Sequence, residues 1–269
     1  MLYTKTYFNS PEKDWVVFIH GAGGSSAIWF RQVKAYREEF NVLLVDLRGH
    51  GKSKEMSSLQ TYYKEKYTFK TVSKDVIETL NKNDIDKAHF VGVSLGTIII
   101  RTIADIEPER VISSVMCGAI TRLNTRSRIL VWLGHTFKKI VPFMWLYRLF
   151  AWIIMPKKNH EESRSLFVNE AKNLARKEFL KWFRLTYDVN PLLRYFKERE
   201  MEAPTLYVMG EEDHMFLPPV KKMIKDFDHS YLVVVEGSGH VVNVEKPEKF
   251  NEVSMEFLLN HKRYLQQTG

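Results

Sequence analysis

The feature that most constrains this chain is a serine framed by two glycines, Gly92-Val93-Ser94-Leu95-Gly96. A short apolar run at 88–91 precedes it, as expected of a buried strand, and residues 97–104 can continue as a helix. A serine on so sharp a strand-to-helix turn is held in a strained conformation with Oγ exposed. The start of a helix adds unpaired N–H groups and a positive dipole end, which suit an oxyanion. The pentapeptide alone is equally typical of a glycine-rich turn, but its setting favours a nucleophile.

Two later segments supply an acid and a histidine. A predicted strand at 204–210 is followed by the acidic run 211–213, and a predicted strand at 230–236 is followed by His240. A serine hydroxyl is a poor nucleophile at its ordinary pKa and needs a base within hydrogen-bond reach, which a buried carboxylate holds in one tautomer. Loops at one edge of a parallel sheet can bring such distant residues together. The order along the chain is therefore compatible with one site around Ser94.

Five motifs in this order make the chain resemble the α/β-hydrolase superfamily. They are the His-Gly loop at 20–24, the Asp-x-Arg-Gly-x-Gly-x-Ser segment at 46–53, the serine pentapeptide at 92–96, the acid loop at 210–213, and Gly239-His240 followed by Glu245-Lys246-Pro247. The resemblance implies an α/β fold of the α/β-hydrolase type. This fold has a mostly parallel sheet flanked by helices, with a helical cap inserted.

The resemblance also implies roles for individual residues. Ser94 corresponds to the nucleophile, His240 to the general base and Asp213 to the acid that orients it. The backbone N–H groups of Ala22 and Leu95 correspond to the oxyanion hole.

Other polar residues compete for these roles. Asp46 is a rival acid, but its place in the arginine-glycine loop predicts that it organises that loop. Glu211 and Glu212 are near enough to compete with Asp213, whereas the family spacing favours the third position. His20 and His50 are predicted to fix loop geometry.

The chain departs from the family pattern in two places. Thr97 stands where a second small residue usually follows the serine turn, which predicts tighter packing of the helix. One strand, at 2–8, is predicted ahead of the strand at 15–19. The eight-stranded plan is therefore predicted to lack or shorten its first strand.

Basic residues are concentrated in one interval. Residues 121–200 contain 17 Lys and Arg against 7 Asp and Glu, a net charge of +10, whereas the whole chain carries +8. In the resembling family a helical cap is commonly inserted at this point. We therefore predict a core formed by 1–120 and 201–269, and a cap formed by 121–200.

Residues 140–155 of this predicted cap are apolar on nearly every helical face, with Arg148 as the only charge. An ordinary surface helix has a polar face. Three interpretations are open: burial against the core with lining of an acyl pocket, contact with a membrane surface, and an oligomer interface. The basic flanks at 138–139 and 157–158 and the tryptophans suit a lipid interface, but we favour the pocket. Its predicted lining residues are Phe143, Trp145, Tyr147 and Val241.

Several classes of protein are disfavoured. The single cysteine, Cys117, rules out an internal disulfide and is expected to be a small buried strand residue in a reducing compartment. The chain opens without a signal-peptide pattern, and no apolar run reaches the roughly 18 residues of a membrane span. A cytoplasmic location is expected. No zinc spacing, nucleotide loop or nucleic-acid motif is present, so we predict no metal, no cofactor and no nucleic-acid partner.

These observations predict a cofactor-free serine hydrolase that cleaves a carboxylic ester or thioester with a hydrophobic acyl group. Cleavage of a carbon–carbon or amide bond by the same residues is one alternative. Another is a small-molecule receptor or signalling partner on the same fold, because binding reuses the same pocket. An acyltransferase is a third. The oligomeric state is left open.

Overall fold

The computed structural model describes residues 2–54, 67–123, 125–137 and 141–266. Seven strands and eleven α-helices lie in this part of the chain. In chain order they are β1 (Tyr3–Tyr7), β2 (Trp15–Ile19), α1 (Phe30–Glu39), β3 (Asn41–Asp46), α2 (Phe69–Lys82), β4 (Ala88–Val93), α3 (Leu95–Ile106), β5 (Val111–Cys117), α4 (Thr125–Phe137), α5 (Phe143–Ile154), α6 (Glu161–Lys172), α7 (Arg176–Lys197), β6 (Thr205–Gly210), α8 (Leu217–Met223), β7 (Ser230–Val235), α9 (Val242–Glu245), α10 (Pro247–Leu259) and α11 (His261–Gln266).

The strands form one sheet in the order β1-β3-β2-β4-β5-β6-β7. β1 runs antiparallel to β3 at one edge, and the other neighbours are parallel. The described residues thus contribute seven strands to the sheet, in agreement with the predicted loss or shortening of one. Strands β3, β4 and β6 are buried along their whole length, as expected of a parallel sheet covered on both faces.

Helices cover both faces of the sheet, and alternate strand residues supply the two cores. On β2, Val17 and Ile19 point into the cluster formed with α2 and α3, whereas Val16 and Phe18 point into the cluster formed with α1 and α10. This is the period of two expected of a strand with two buried faces. The apolar segments of the sequence that form strands therefore make up the central layer of the molecule.

The four helices α4–α7 are inserted between β5 and β6. They are joined to the rest of the chain by polar as well as apolar contacts. The Trp182 indole of α7 donates to the Arg48 carbonyl at 2.9 Å, and Arg101 of α3 donates to the Phe196 carbonyl at 2.7 Å. The division into a core of 1–120 and 201–269 and a cap of 121–200 stays a prediction, although helices fill that interval as expected.

The apolar segment 140–155 has two different faces. Residues 138–140 lie outside the described residues, and α5 begins at Phe143. Leu146, Tyr147 and Ala151 are buried, whereas Trp145, Leu149 and Trp152 are 68%, 41% and 59% exposed. None of the described helices is long and apolar enough to cross a membrane.

A buried ion pair joins the loop after β3 to helix α2. The Arg48 guanidinium donates from Nε and Nη2 to the two carboxylate oxygens of Asp75, each at 2.6 Å, and both side chains are almost fully buried. Burial raises the pKa of Asp75, and the hydrogen bond and positive charge of Arg48 oppose that rise. Each group of the pair therefore needs the opposite charge of the other to stay ionised while buried.

We expect Arg48→Met to lower the free energy of unfolding by about 3–5 kcal/mol, because it leaves the Asp75 carboxylate buried without its partner. Chemical denaturation would measure the loss. Lys82→Met is the matched control, since the Lys82–Glu78 pair is largely exposed and should contribute less than about 0.5 kcal/mol. A small loss in Arg48→Met, equal to that of the control, would contradict this assignment.

Candidate active site

Ser94 lies on a tight turn between β4 and α3. Its backbone has φ 53° and ψ −118°, a conformation that non-glycine residues rarely adopt. Gly96 permits the turn, because a side chain there would collide with the carbonyl oxygens of Ile19 and His20. Gly92 is equally confined, by Ile100 and by the backbone of Gly96. This is the strained strand-to-helix geometry that the sequence predicts for a nucleophilic serine.

A chain of hydrogen bonds runs from Ser94 to His240 and Asp213. The distance from Ser94 Oγ to His240 Nε2 is 3.0 Å, and that from His240 Nδ1 to Asp213 Oδ2 is 2.8 Å. Asp213 is fully buried, and its Oδ1 accepts the Phe216 N–H at 3.0 Å. When Nδ1–H donates to Asp213, Nε2 carries the lone pair and can accept the Ser94 proton. The three residues that the sequence singled out are therefore adjacent and correctly oriented for proton transfer.

The rival acids bond to other groups. The Oδ1 of Asp46 accepts the Ser26 N–H at 2.7 Å, and its Oδ2 accepts the Lys52 N–H at 2.9 Å. Asp46 thus organises its own loop, as predicted. Glu211 is exposed and accepts the Gly237 N–H at 3.3 Å.

Glu212 connects the acid loop to the inserted helices. Its carboxylate accepts hydrogen bonds from Lys157 Nζ at 2.7 Å and Asn159 Nδ2 at 2.9 Å, and lies 2.8 Å from Nε2 of the fully buried His160. The hydrogen bonds from Asn159 and then Lys157 lower the pKa of Glu212 to about 2. His160 also fills the space beside Gly239, where a side chain would collide with its ring. The segment before α6 therefore packs against both loops of the site, a contact that sequence reasoning missed because its residues are far apart in the chain.

The two predicted donors of the oxyanion hole flank Ser94. Leu95 is the first residue of α3, so its N–H has no partner within the helix. Ala22 lies in the 20–24 loop, whose Gly21 is close enough that a side chain there would contact Ser94. Both residues line the same cavity as Ser94.

Two buried histidines hold this loop. The Leu47 N–H donates to His20 Nε2 at 2.9 Å, and the Gly23 N–H donates to His50 Nε2 at 2.9 Å. Burial lowers the pKa of both imidazoles, that of His50 to about 3. Both rings are therefore neutral near pH 7 and can act as acceptors, which agrees with the loop-fixing role predicted for them.

A cavity of about 270 Å³ opens beside Ser94 and His240. Its lining is mostly apolar and comes from the core and from the inserted helices. Prominent apolar side chains in its wall are Ile98, Phe150, Ile154, Leu174, Phe179 and Phe183. Glu170 is a polar exception at the wall, and its Oε2 accepts the Ser25 hydroxyl at 2.6 Å.

Two of the four predicted lining residues take part in the cavity. Tyr147 and Val241 line it, and the Tyr147 hydroxyl lies against Gly23. The prediction was wrong for Trp145, which is 68% exposed on the outer side of α5. It was also wrong for Phe143, whose ring packs 5.6 Å from that of Phe179 outside the cavity wall. Both errors have one cause: an all-apolar helix carries no periodic signal to show which face turns inward.

The structure also shows the positions of Phe216, which the sequence did not single out, and of Thr97 and Cys117, for which it gave expectations. The ring of Phe216 packs 5.0 Å from that of His240 and lines the cavity, although no motif marks it. Thr97 is buried, and its hydroxyl donates to the Ser94 carbonyl at 2.6 Å, so the departure from a small residue is accommodated. Cys117 is fully buried as expected, and burial raises the pKa of its thiol to about 12.

Among the described residues no group of three His, Cys, Asp or Glu side chains is arranged to hold a metal ion. The absence of a metal and of a cofactor stays a prediction.

The sequence-family model for the alpha/beta hydrolase fold matches residues 14–247, which is most of the chain. The chain belongs to the α/β-hydrolase family. A putative carbamate hydrolase RutD of Stutzerimonas stutzeri is 24% identical over 92% of this hydrolase and 92% of its own length. A putative esterase/lipase of Haemophilus influenzae is 21% identical over 91% of this chain and 82% of its own length. A solved hydrolase of Pseudomonas aeruginosa superposes with a TM-score of 0.80 at 24% identity, covering 96% of this chain and 94% of its own.

We expect Asp213→Asn to lower kcat by about 10⁴-fold, as loss of the orienting carboxylate does in serine proteases, because the imidazole is then held in the wrong tautomer. Hydrolysis of a p-nitrophenyl ester would measure it. Glu211→Gln is the matched control and should leave kcat near the wild-type value. Glu212→Gln should cost far less than Asp213→Asn, because its carboxylate contacts His160 rather than His240. Equal losses in Glu212→Gln and Asp213→Asn would overturn the assignment of the acid.

Proposed function

We propose that this α/β hydrolase is a cofactor-free serine hydrolase that cleaves a carboxylic ester or thioester with a hydrophobic acyl group. The observation that carries the proposal is the hydrogen-bonded series Ser94–His240–Asp213 at the wall of an apolar cavity. The esterase/lipase name of the Haemophilus influenzae relative is in keeping with it. Asp213, His240 and Ser94 take the roles of orienting acid, general base and nucleophile.

The reaction proceeds in two halves. Ser94 Oγ attacks the carbonyl carbon while His240 Nε2 takes its proton, and the carbonyl oxygen becomes an oxyanion facing the N–H groups of Ala22 and Leu95. Each such donor typically contributes about 3–4 kcal/mol of transition-state stabilisation. Collapse of the tetrahedral intermediate expels the alcohol or thiol, which receives its proton from His240, and leaves Ser94 acylated. Water then attacks the acyl-enzyme with His240 as base, and the acid is released.

The cavity determines the acyl group in this proposal. Its wall of aliphatic and aromatic side chains favours an apolar chain, because burying such a chain removes apolar surface from water. A cavity of about 270 Å³ is slightly below the roughly 300–1,000 Å³ of typical ligand sites. Short-to-medium acyl chains are therefore the substrates that fit best.

A second candidate is hydrolysis of a carbon–nitrogen bond. The Stutzerimonas stutzeri relative is named a putative carbamate hydrolase, and the same attack by Ser94 applies to an amide or carbamate carbonyl. The receptor and acyltransferase alternatives use the same cavity, so turnover of an ester panel, with and without an added alcohol, distinguishes them from hydrolysis. We place the ester first because the cavity wall offers mainly apolar contacts.

We expect a fluorophosphonate to label this protein once, on Ser94, because Ser94 is the serine that His240 can deprotonate. Intact-protein and peptide mass spectrometry would locate the adduct. Ser94→Ala should abolish labelling with the fold retained. Ser163→Ala, which alters another serine in the cavity wall, is the matched control and should label as the wild type does. Labelling that persists in Ser94→Ala would refute the proposed nucleophile.

We expect Phe150→Ala to shift the preferred acyl chain toward longer esters, because Phe150 lies in the cavity wall and its removal adds volume. The ratio of kcat/KM values across p-nitrophenyl esters of increasing length measures the shift. Trp152→Ala, two residues along the same helix but 59% exposed, should leave the ratio unchanged. An unchanged profile in Phe150→Ala would place the acyl chain elsewhere.

A further inference from the structure

Helix α5 exposes three large apolar side chains on its outer side. Trp145, Leu149 and Trp152 are 68%, 41% and 59% exposed, and their spacing of four and three residues places them on one helical face. Arg148 is exposed between them. We refer to Trp145, Arg148, Leu149 and Trp152 as the outer face of α5. Contiguous exposed apolar side chains of this kind mark interaction sites more often than ordinary surface.

The outer face of α5 borders a groove shared with α6. The groove has a volume of about 590 Å³, and Arg164 and Val168 of α6 complete its wall. The Arg164 guanidinium donates to the carbonyls of Met155 and Lys157, so it links α6 to the segment that follows α5. Within the described part of the chain no carboxylate forms an ion pair with Arg148 or with the exposed Lys158. The groove therefore combines apolar walls with uncompensated positive charge.

The net charge of the inserted segment favours an anionic partner. Residues 121–200 carry a net charge of +10, although the whole chain carries +8. Two copies of the chain that met through this face would bring like charges together. A surface of anionic lipid supplies both the opposite charge and an apolar layer for the tryptophans, whose amphipathic rings favour the membrane–water interface.

We propose that the outer face of α5 binds the surface of an anionic lipid bilayer, with α5 lying in the plane of the interface. The opposite face of the same helix lines the cavity beside Ser94 through Tyr147, Phe150 and Ile154. Bound in this way, α5 separates the lipid interface from the cavity by the width of one helix. The attachment is peripheral, as for amphipathic helices that lie on a membrane rather than cross it. It does not rest on the proposed reaction.

Co-sedimentation with vesicles tests the proposal on the full chain. The protein carries Ser94→Ala so that hydrolysis of lipid cannot alter the vesicles. The vesicles consist of phosphatidylcholine alone or of phosphatidylcholine with phosphatidylserine, each at low and at high salt. We expect strong binding to the phosphatidylserine vesicles at low salt, weaker binding at high salt, and the weakest binding to phosphatidylcholine alone.

Variants then assign the binding to the outer face of α5. Trp145→Ala combined with Trp152→Ala should lower the partition coefficient by about tenfold or more, because it removes the apolar surface that would be buried in the interface. Arg148→Gln should lower it about fivefold, the effect of one basic residue near an anionic surface. Phe8→Ala removes an aromatic side chain that is 63% exposed beside Trp15, and this matched control should bind as the parent does. All the altered side chains are exposed, so thermal unfolding should confirm that each variant folds.

Three results would overturn the proposal. The first is absence of binding to phosphatidylserine vesicles, and the second is equal binding by the double tryptophan variant and its parent. The third is a dimer in size-exclusion chromatography that the double tryptophan variant abolishes, without vesicle binding, which would assign the face to a second copy of the chain. Because the assay uses Ser94→Ala, its failure is distinct from failure of the proposed reaction, which fluorophosphonate labelling reports.

Discussion

The site depends on how closely helix α3 approaches the end of strand β2. A side chain at Gly96 would collide with the carbonyl oxygens of Ile19 and His20, so the approach requires glycine. This contact brings the start of α3 against the loop at 20–24 and holds Ser94 at φ 53°. Strain of this kind costs about 1–3 kcal/mol and persists where the surrounding structure over-determines it. Here the surrounding structure is a sheet buried on both faces. The end of β2 packs so closely against the turn that Ser94 cannot move to a less strained conformation.

The loop that faces Ser94 is held by side chains rather than by regular secondary structure. His20 and His50 accept backbone N–H groups while buried and neutral, because burial lowers the pKa of both. A protonated imidazole has no acceptor nitrogen, so these bonds require the neutral form. The N–H of Gly23 is bonded to His50 and that of Gly24 to the Gly21 carbonyl, so neither competes with Ala22 for its predicted role as oxyanion donor. The histidines thus contribute to the site without touching the reacting atoms.

The sequence was sufficient to predict the positions of site residues that belong to a local motif at the end of a strand. Ser94 and Asp213 follow the buried strands β4 and β6, and His240 follows the half-buried last strand of the sheet, β7. The parallel strands bring these three ends to the same side of the sheet, so their proximity could be predicted from their order. It was insufficient for α5, because apolar residues on every face give no periodicity. Tyr147 and Trp145 are two positions apart and lie on opposite sides of the helix, one in the cavity and one in solvent. The contact of His160 with Glu212 could not be predicted from the sequence either, because no local pattern relates positions 52 residues apart.

That contact has a consequence for how the inserted helices and the reacting residues are related. Glu212 is next to Asp213 in the chain, and Gly239 is next to His240, so His160 packs against the immediate neighbours of both the acid and the base. Glu245 strengthens the same junction, because its buried carboxylate accepts the Gly239 N–H and lies 3.9 Å from His160 Nε2. The helices that form the cavity wall and the loops that orient the imidazole therefore share one buried polar junction. Removal of the His160 ring would therefore disturb both loops at once, whereas Glu212→Gln keeps a side chain of the same size, and a substitution on the outer face of α5 touches neither loop.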